Sequence, residues 1–205
     1  TGLTAADSSG NNRHGSLQGF WGDDSQWVPG CLDNAISVNP YYGALQTVLV
    51  TDDGGLDFSA NREFTLAAWV NADPAAQGVN GGIIAKGYGA GGEQYCLDID
   101  AGHYRFFVRD TNGAAAVLNT AIAPSGPYWQ HVAAVFSAPL GIMKLYLNGA
   151  EVAGRTPPAS LASNTHEVSL GSRQQASGED ALYDFNLVGQ IDDARIFARA
   201  LVPAE

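Results

Sequence analysis

Charge is scarce in this sequence, and basic charge is the scarcest. Only 15% of the 205 residues are Asp, Glu, Lys or Arg, and 21 acidic against 10 basic side chains leave a formal charge of -11. Such a field repels phosphate backbones and anionic headgroups, which excludes nucleic acid and acidic membrane surfaces as partners. No apolar run reaches the roughly 18 residues of a bilayer crossing, so no membrane insertion is expected. The chain opens on Thr-Gly-Leu rather than on an export signal and reads as a mature chain or an excised piece. Few lysines, a single Met and much Asn, Gly, Ser and Thr tilt the reading towards a secreted or cell-surface protein.

Catalytic and metal motifs are equally sparse. His14, His103, His131 and His166 show no H-x-H or H-E-x-x-H spacing, so no zinc site is expected. No G-x-S-x-G elbow is present, and Cys31 and Cys96 lack C-x-x-C spacing. These two cysteines allow either one disulfide or a pair of free thiols. Acids alternating along one strand, as E-x-D-x-x-E, would flank a glycosidic bond. The nearest approaches, Asp98-Ile99-Asp100 and Glu179-Asp180, lack the third acid. A polysaccharide-degrading enzyme is therefore the third reading of the chain.

What the sequence does contain is punctuation and alternation. There are 25 Gly and 9 Pro, as many short strands joined by tight turns require. Phe64, Leu66, Ala68 and Val70 point to one face of a strand while Thr65, Ala67 and Trp69 point to the other. The same period recurs at Tyr95, Leu97 and Ile99; at Tyr104, Phe106 and Val108; at Val132, Ala134 and Phe136; and at Leu145 and Leu147. Between them stand turn signals such as Asp53-Gly54-Gly55, Asn112-Gly113 and Asn148-Gly149, the last predicting a hairpin. No 12-residue stretch carries a capped amphipathic helix, although Ser160-Leu161-Ala162 and Arg199-Ala200-Leu201 have room for one helical turn each. The glycine-rich segment 87–92 and the Ser/Gly/Gln segment 172–179 read as surface loops. An all-β, antiparallel fold follows.

Four stretches then resemble one family in its own order. They are Asp7-Ser8-Ser9-Gly10-Asn11-Asn12-Arg13-His14-Gly15, the strand from Phe64 to Val70, Trp129-Gln130-His131-Val132-Ala133, and Val188-Gly189-Gln190-Ile191-Asp192-Asp193-Ala194-Arg195-Ile196-Phe197 with Arg199-Ala200-Leu201. Together with Leu145 to Gly149 and Leu170-Gly171-Ser172, they resemble laminin-G-like jelly-roll domains of the concanavalin A-like lectin/glucanase superfamily, of the secreted bacterial type. The resemblance implies one two-sheet jelly-roll β-sandwich over 1–205, with the first strand truncated or supplied from elsewhere. It also implies a structural Ca²⁺ near the joined chain ends, held by oxygens of Asp7, Asn12 and Asp192, with Asp193 in reserve.

Sugar recognition calls for exposed aromatics beside planar polar groups. Alternation turns Arg105, Phe107 and Arg109 outward, and with them Trp69, Asp98, His131 and Tyr146. On one concave sheet these seven would form a glycan-binding groove. A loop-edge site of Trp21, Trp27, Tyr41, Tyr42 or Tyr88 is the competing placement. The leading expectation is a non-catalytic carbohydrate-binding or adhesion module. The alternative is a building block of an extracellular filament that pairs with copies of itself through sheet edges.

Overall fold

The computed structural model describes residues 2–39, 45–176 and 182–205; Tyr41, Tyr42, Glu179 and Asp180 lie outside them. Among the described residues fifteen strands form two sheets, and no helix occurs. The eight-stranded sheet has the order β1-β2-β5-β14-β7-β8-β9-β10, with β1 Thr4–Ala5, β2 Gly15–Gln18, β5 Thr47–Val50, β14 Val168–Leu170, β7 Gly81–Lys86, β8 Tyr95–Asp100, β9 His103–Arg109 and β10 Ala115–Asn119. The seven-stranded sheet has the order β13-β12-β11-β6-β15-β4-β3, with β13 Ala150–Arg155, β12 Ile142–Leu147, β11 Gln130–Ser137, β6 Glu63–Ala72, β15 Gly189–Phe197, β4 Asn34–Val38 and β3 Trp27–Pro29. Every pairing between named strands is antiparallel, and the whole is the expected jelly-roll sandwich.

Alternation explains the core. Phe64, Leu66, Ala68 and Val70 of β6 are wholly buried, and they meet the equally buried Tyr95, Leu97, Ile99, Tyr104, Phe106 and Val108 of the opposite sheet. Phe64 is the hub: its ring lies 4.9 Å from Tyr95, 5.2 Å from Phe58, 5.3 Å from Phe136 and 6.1 Å from Phe106. Such ring pairs add about 0.5–1.5 kcal/mol each beyond the area they bury. The predicted hairpin joins β12 to β13, with Asn148 and Gly149 at φ +50° and +80°. Positive φ at both turn residues matches the twist of the flanking strands. Segments 160–162 and 199–201 form bends and irregular chain rather than helical turns.

The cysteines are unbonded: Cys96 is buried and Cys31 is exposed. In β15 the register shifts between Asp192 and Arg195, and Asp193 takes a φ of +49°. That bulge resets which side chains of the closing strand face outward.

Candidate functional site

The seven sugar-binding candidates do not share a sheet. Asp98, Arg105, Phe107 and Arg109 lie on the outer face of the eight-stranded sheet, and Trp69, His131 and Tyr146 on the outer face of the seven-stranded one. One groove is therefore replaced by two faces on opposite sides of the sandwich.

The first face is closed. Phe107 is 4% exposed and packs with Ala85, Cys96 and Val117 in a second apolar cluster. Around its ring stand the guanidinium groups of Arg105, Arg109 and Arg173, at 5.1, 5.7 and 5.5 Å from the centroid. Each cation already has a carboxylate. Arg105 donates to both oxygens of Asp98, to Asp100 and to Asn80. Buried Glu93 accepts from Arg109 and Arg173. Burial pushes the Asp98 carboxyl up, while the Arg105 hydrogen bonds and charge pull against that rise. Described residues on either side of 177–181, part of them expected in a surface loop, cover this face: Arg173 and Gln174 are buried, and Phe185 packs with Arg173. Arg173 lies against both Phe107 and Phe185, the latter at 4.8 Å. Asp98 and Asp100 thus share one guanidinium instead of facing an open cleft.

The second face is open, and the strand register lays it out in rows. Tyr146 of β12 stands opposite Ala133 of β11, Ala133 opposite Ala67 of β6, and Ala67 opposite Arg195 of β15. Two adjacent alanines between a phenol and a guanidinium leave a trough. The next row holds His131, Trp69 and Asp192, and the row on the other side holds Lys144, Val135, Thr65 and Phe197. The result is a pocket of about 220 Å³, floored by Ala67 and Ala133 and walled by Tyr146, His131, Asp193, Arg195 and Phe197. Leu201, Val202 and Pro203 close one end. Arg195 Nε donates to Asp193 at 2.9 Å, which presents an ion pair to the pocket. Trp69 and His131 pack edge to face at 5.2 Å, and burial lowers the His131 pKa, keeping the ring neutral at pH 7. A flat apolar wall facing a guanidinium and carboxylate is suited to a ring that is apolar on its faces and hydroxylated at its edges.

The oxygens expected to hold calcium are turned to other uses. Asp7 accepts from the Ser9 hydroxyl and amide and from the Arg13 amide, which together hold its pKa at about 2. Asp192 is on the other sheet and caps loop 30–33 by accepting from the amides of Cys31 and Leu32. A Cβ on Gly30 would lie 2.5 Å from the Asp192 carboxylate, so only glycine fits that approach. Asp193 is paired with Arg195, and Asn12, at φ +58°, serves the opening turn. N–H groups aimed at carboxylate oxygens are the opposite of what a cation needs. Among the described residues no three acids, histidines or cysteines converge, and the four residues do not fit a shared calcium.

The loop-edge aromatics are scattered. Trp21 is exposed, the Trp27 indole donates to the Gly2 carbonyl, and Tyr88 packs on His166. Alternation missed Arg195 because the bulge reverses its side. The alanines at 67 and 133 were legible only as small residues until their register made them neighbours.

A jelly roll with one sealed outer face and one troughed face belongs to a recognisable class of β-sandwich domains. The chain is a member of the Concanavalin A-like lectin/glucanases superfamily, whose laminin-G-type model matches residues 43–205. No curated protein matches it. Among solved structures it is similar to the binding domain of botulinum neurotoxin serotype C1, with 19% identity and a TM-score of 0.73 over 98% of this chain and 49% of that one. The binding domain of Paraclostridial Mosquitocidal Protein 1 matches at 18% identity and a TM-score of 0.72, over 97% of this chain and 47% of that one. Domain 4 of AbnA, an extracellular arabinanase from Geobacillus stearothermophilus solved with arabinotriose, matches at 18% identity and a TM-score of 0.67, over 97% and 89%. The chain thus spans about half the length of the toxin binding domains and most of the arabinanase domain.

Proposed function

We propose that this domain is a non-catalytic carbohydrate-binding module of a secreted or cell-surface protein, and that its sugar site is the trough on the seven-stranded sheet. The observation that carries this reading is the Tyr146–Ala133–Ala67–Arg195 row: an aromatic wall, a floor cut down to methyl groups and an ion pair opposite. The Tyr146 ring takes the apolar face of a sugar, while Arg195, Asp193 and neutral His131 take its hydroxyls. Related folds lend support, since one structurally similar domain was solved with an arabinose oligosaccharide and similar toxin binding domains are described with sialyl and ganglioside ligands. The closure of the strongest acid cluster around Arg105 favours binding over hydrolysis. Immunodetection in culture medium or on intact cells tests the extracellular setting, and confinement to the cytosol contradicts it.

The direct test is affinity electrophoresis and calorimetry against arabinan, xylan, mixed-linkage glucan and sialylated glycans. Tyr146→Ala is expected to weaken the retained ligand at least about tenfold, equivalent to 1.4 kcal/mol. Ala133→Phe, which fills the floor of the trough, abolishes binding with little change in melting temperature. Undiminished binding by both variants removes the trough from consideration.

A further inference from the structure

A second hollow lies on the same outer face, one row beyond Trp69. It measures about 500 Å³ and opens at the end of the sheet, where β4, β6 and β15 meet the turn at Gly126-Pro127. Its floor is a polar row. Ser37 of β4 stands opposite Gln190 of β15, and Gln190 opposite Asn71 of β6. The Asn71 amide donates to the Gln190 side chain at 3.3 Å. Asp73 and Asn39 add further polar groups to its rim.

Strand alternation places Asn71, Trp69 and Ala67 on one side of β6, so the two hollows and the Trp69 row follow one line. From Ala67 to Asn71 that line runs roughly 13 Å, at about 3.3 Å per residue. Partly exposed Trp69 stands between the hollows. The cations along the face are neutralised: Arg195 by Asp193, Lys144 by Glu151 and Arg199 by Glu205. Amides that can both donate and accept suit hydroxyl groups, and among the described residues lining the two hollows no Lys or Arg lacks a carboxylate partner.

Building on the trough as the sugar site, we infer that the outer face of the seven-stranded sheet is a single track for an internal stretch of an uncharged polysaccharide. One sugar occupies the trough at Tyr146, a second crosses Trp69, and the chain continues over the Asn71–Gln190 amides. The module therefore recognises the middle of a polymer rather than its end, and affinity depends on chain length.

Calorimetry with arabino- and xylo-oligosaccharides of increasing length, together with polygalacturonate as an acidic polymer, tests the inference. The expected result is affinity that climbs with length and levels off once both hollows are covered, with polygalacturonate bound more weakly than the neutral polymers. Asn71→Ala is expected to cut the ratio of long- to short-oligosaccharide affinity at least fivefold. Tyr146-dependent binding that is equal at every length, or tightest for polygalacturonate, overturns the track while leaving the trough intact. Absence of Tyr146-dependent binding to every probe overturns the trough and the track with it. Circular dichroism of Asn71→Ala and Asn71→Ser separates lost contacts from misfolding, and the serine variant, whose hydroxyl replaces part of the amide's hydrogen bonding, is expected to recover part of the ratio.

Discussion

The two outer faces of this sandwich obey the same alternation and reach opposite ends. On β9, Arg105, Phe107 and Arg109 point away from the main core, yet Phe107 is buried and the arginines are spent on Asp98, Asp100 and Glu93. On β6 and β11, Trp69 and His131 also point outward and stay partly exposed. The difference is what crosses each face. Arg173 and Phe185 lie over the eight-stranded sheet at Phe107, and a second layer of packing forms there. On the other sheet Leu201, Val202 and Pro203 line one end of the row and leave a pocket over buried Ala67 and half-buried Ala133. Pointing outward is a property of a strand; being available to a ligand is a property of the neighbouring chain.

The sharpest way to break that contrast is to remove one member of the sealed network. Arg105→Ala leaves Asp98 buried without its partner, and loss of one member of a buried pair costs about 3–5 kcal/mol. Urea denaturation is expected to show a loss of this size while sugar affinity at the trough is unchanged in the folded fraction. A loss below about 1 kcal/mol means that the face is not sealed. Acid gives a smaller effect at the rim of the same sheet. Burial pushes the Asp57 carboxyl up, but hydrogen bonds from Ser163, Ser59 and Gln94 outweigh it and hold the pKa at about 2. With the folded pKa below the unfolded one, the unfolded chain binds the extra proton, so this stability is complete above about pH 4 and is lost as pH falls towards 2. Melting temperature against pH is expected to fall less steeply over that window in Asp57→Asn. The smallest effect is none: EDTA leaves the melting temperature unchanged, because the carboxylates of Asp7 and Asp192 are held by protein N–H groups. A drop of several degrees reinstates a structural cation.

Much of the fold was legible because the period of two is so regular. Phe64 to Val70 placed both faces of β6 correctly, and Asn148-Gly149 marked its hairpin. Alternation states which side of a sheet a residue takes, but not which sheet. Trp69, His131 and Tyr146 therefore came together as expected, while Asp98, Arg105, Phe107 and Arg109 fell on the far side of the molecule. Arg195 escaped because two residues of bulge intervene between it and Asp192, shifting it onto the outer face. Glu93 and Arg173 escaped because a strand pattern carries no record of a loop that folds back across it. The acids of the opening loop and closing strand have the composition of a cation site, and only their hydrogen-bond partners reveal them as turn and loop caps.

The placement of the two thiols gives the molecule a built-in reporter position. Cys96 is sealed beneath Phe107 and Arg173, and burial pushes its thiol pKa well up, which leaves little reactive thiolate. Cys31 is exposed, and its backbone amide is fixed to Asp192, the cross-strand neighbour of Trp69. A maleimide dye added to the native protein is therefore directed to one site beside the middle of the track, where its fluorescence can follow a polysaccharide chain settling onto the sheet without any engineered residue.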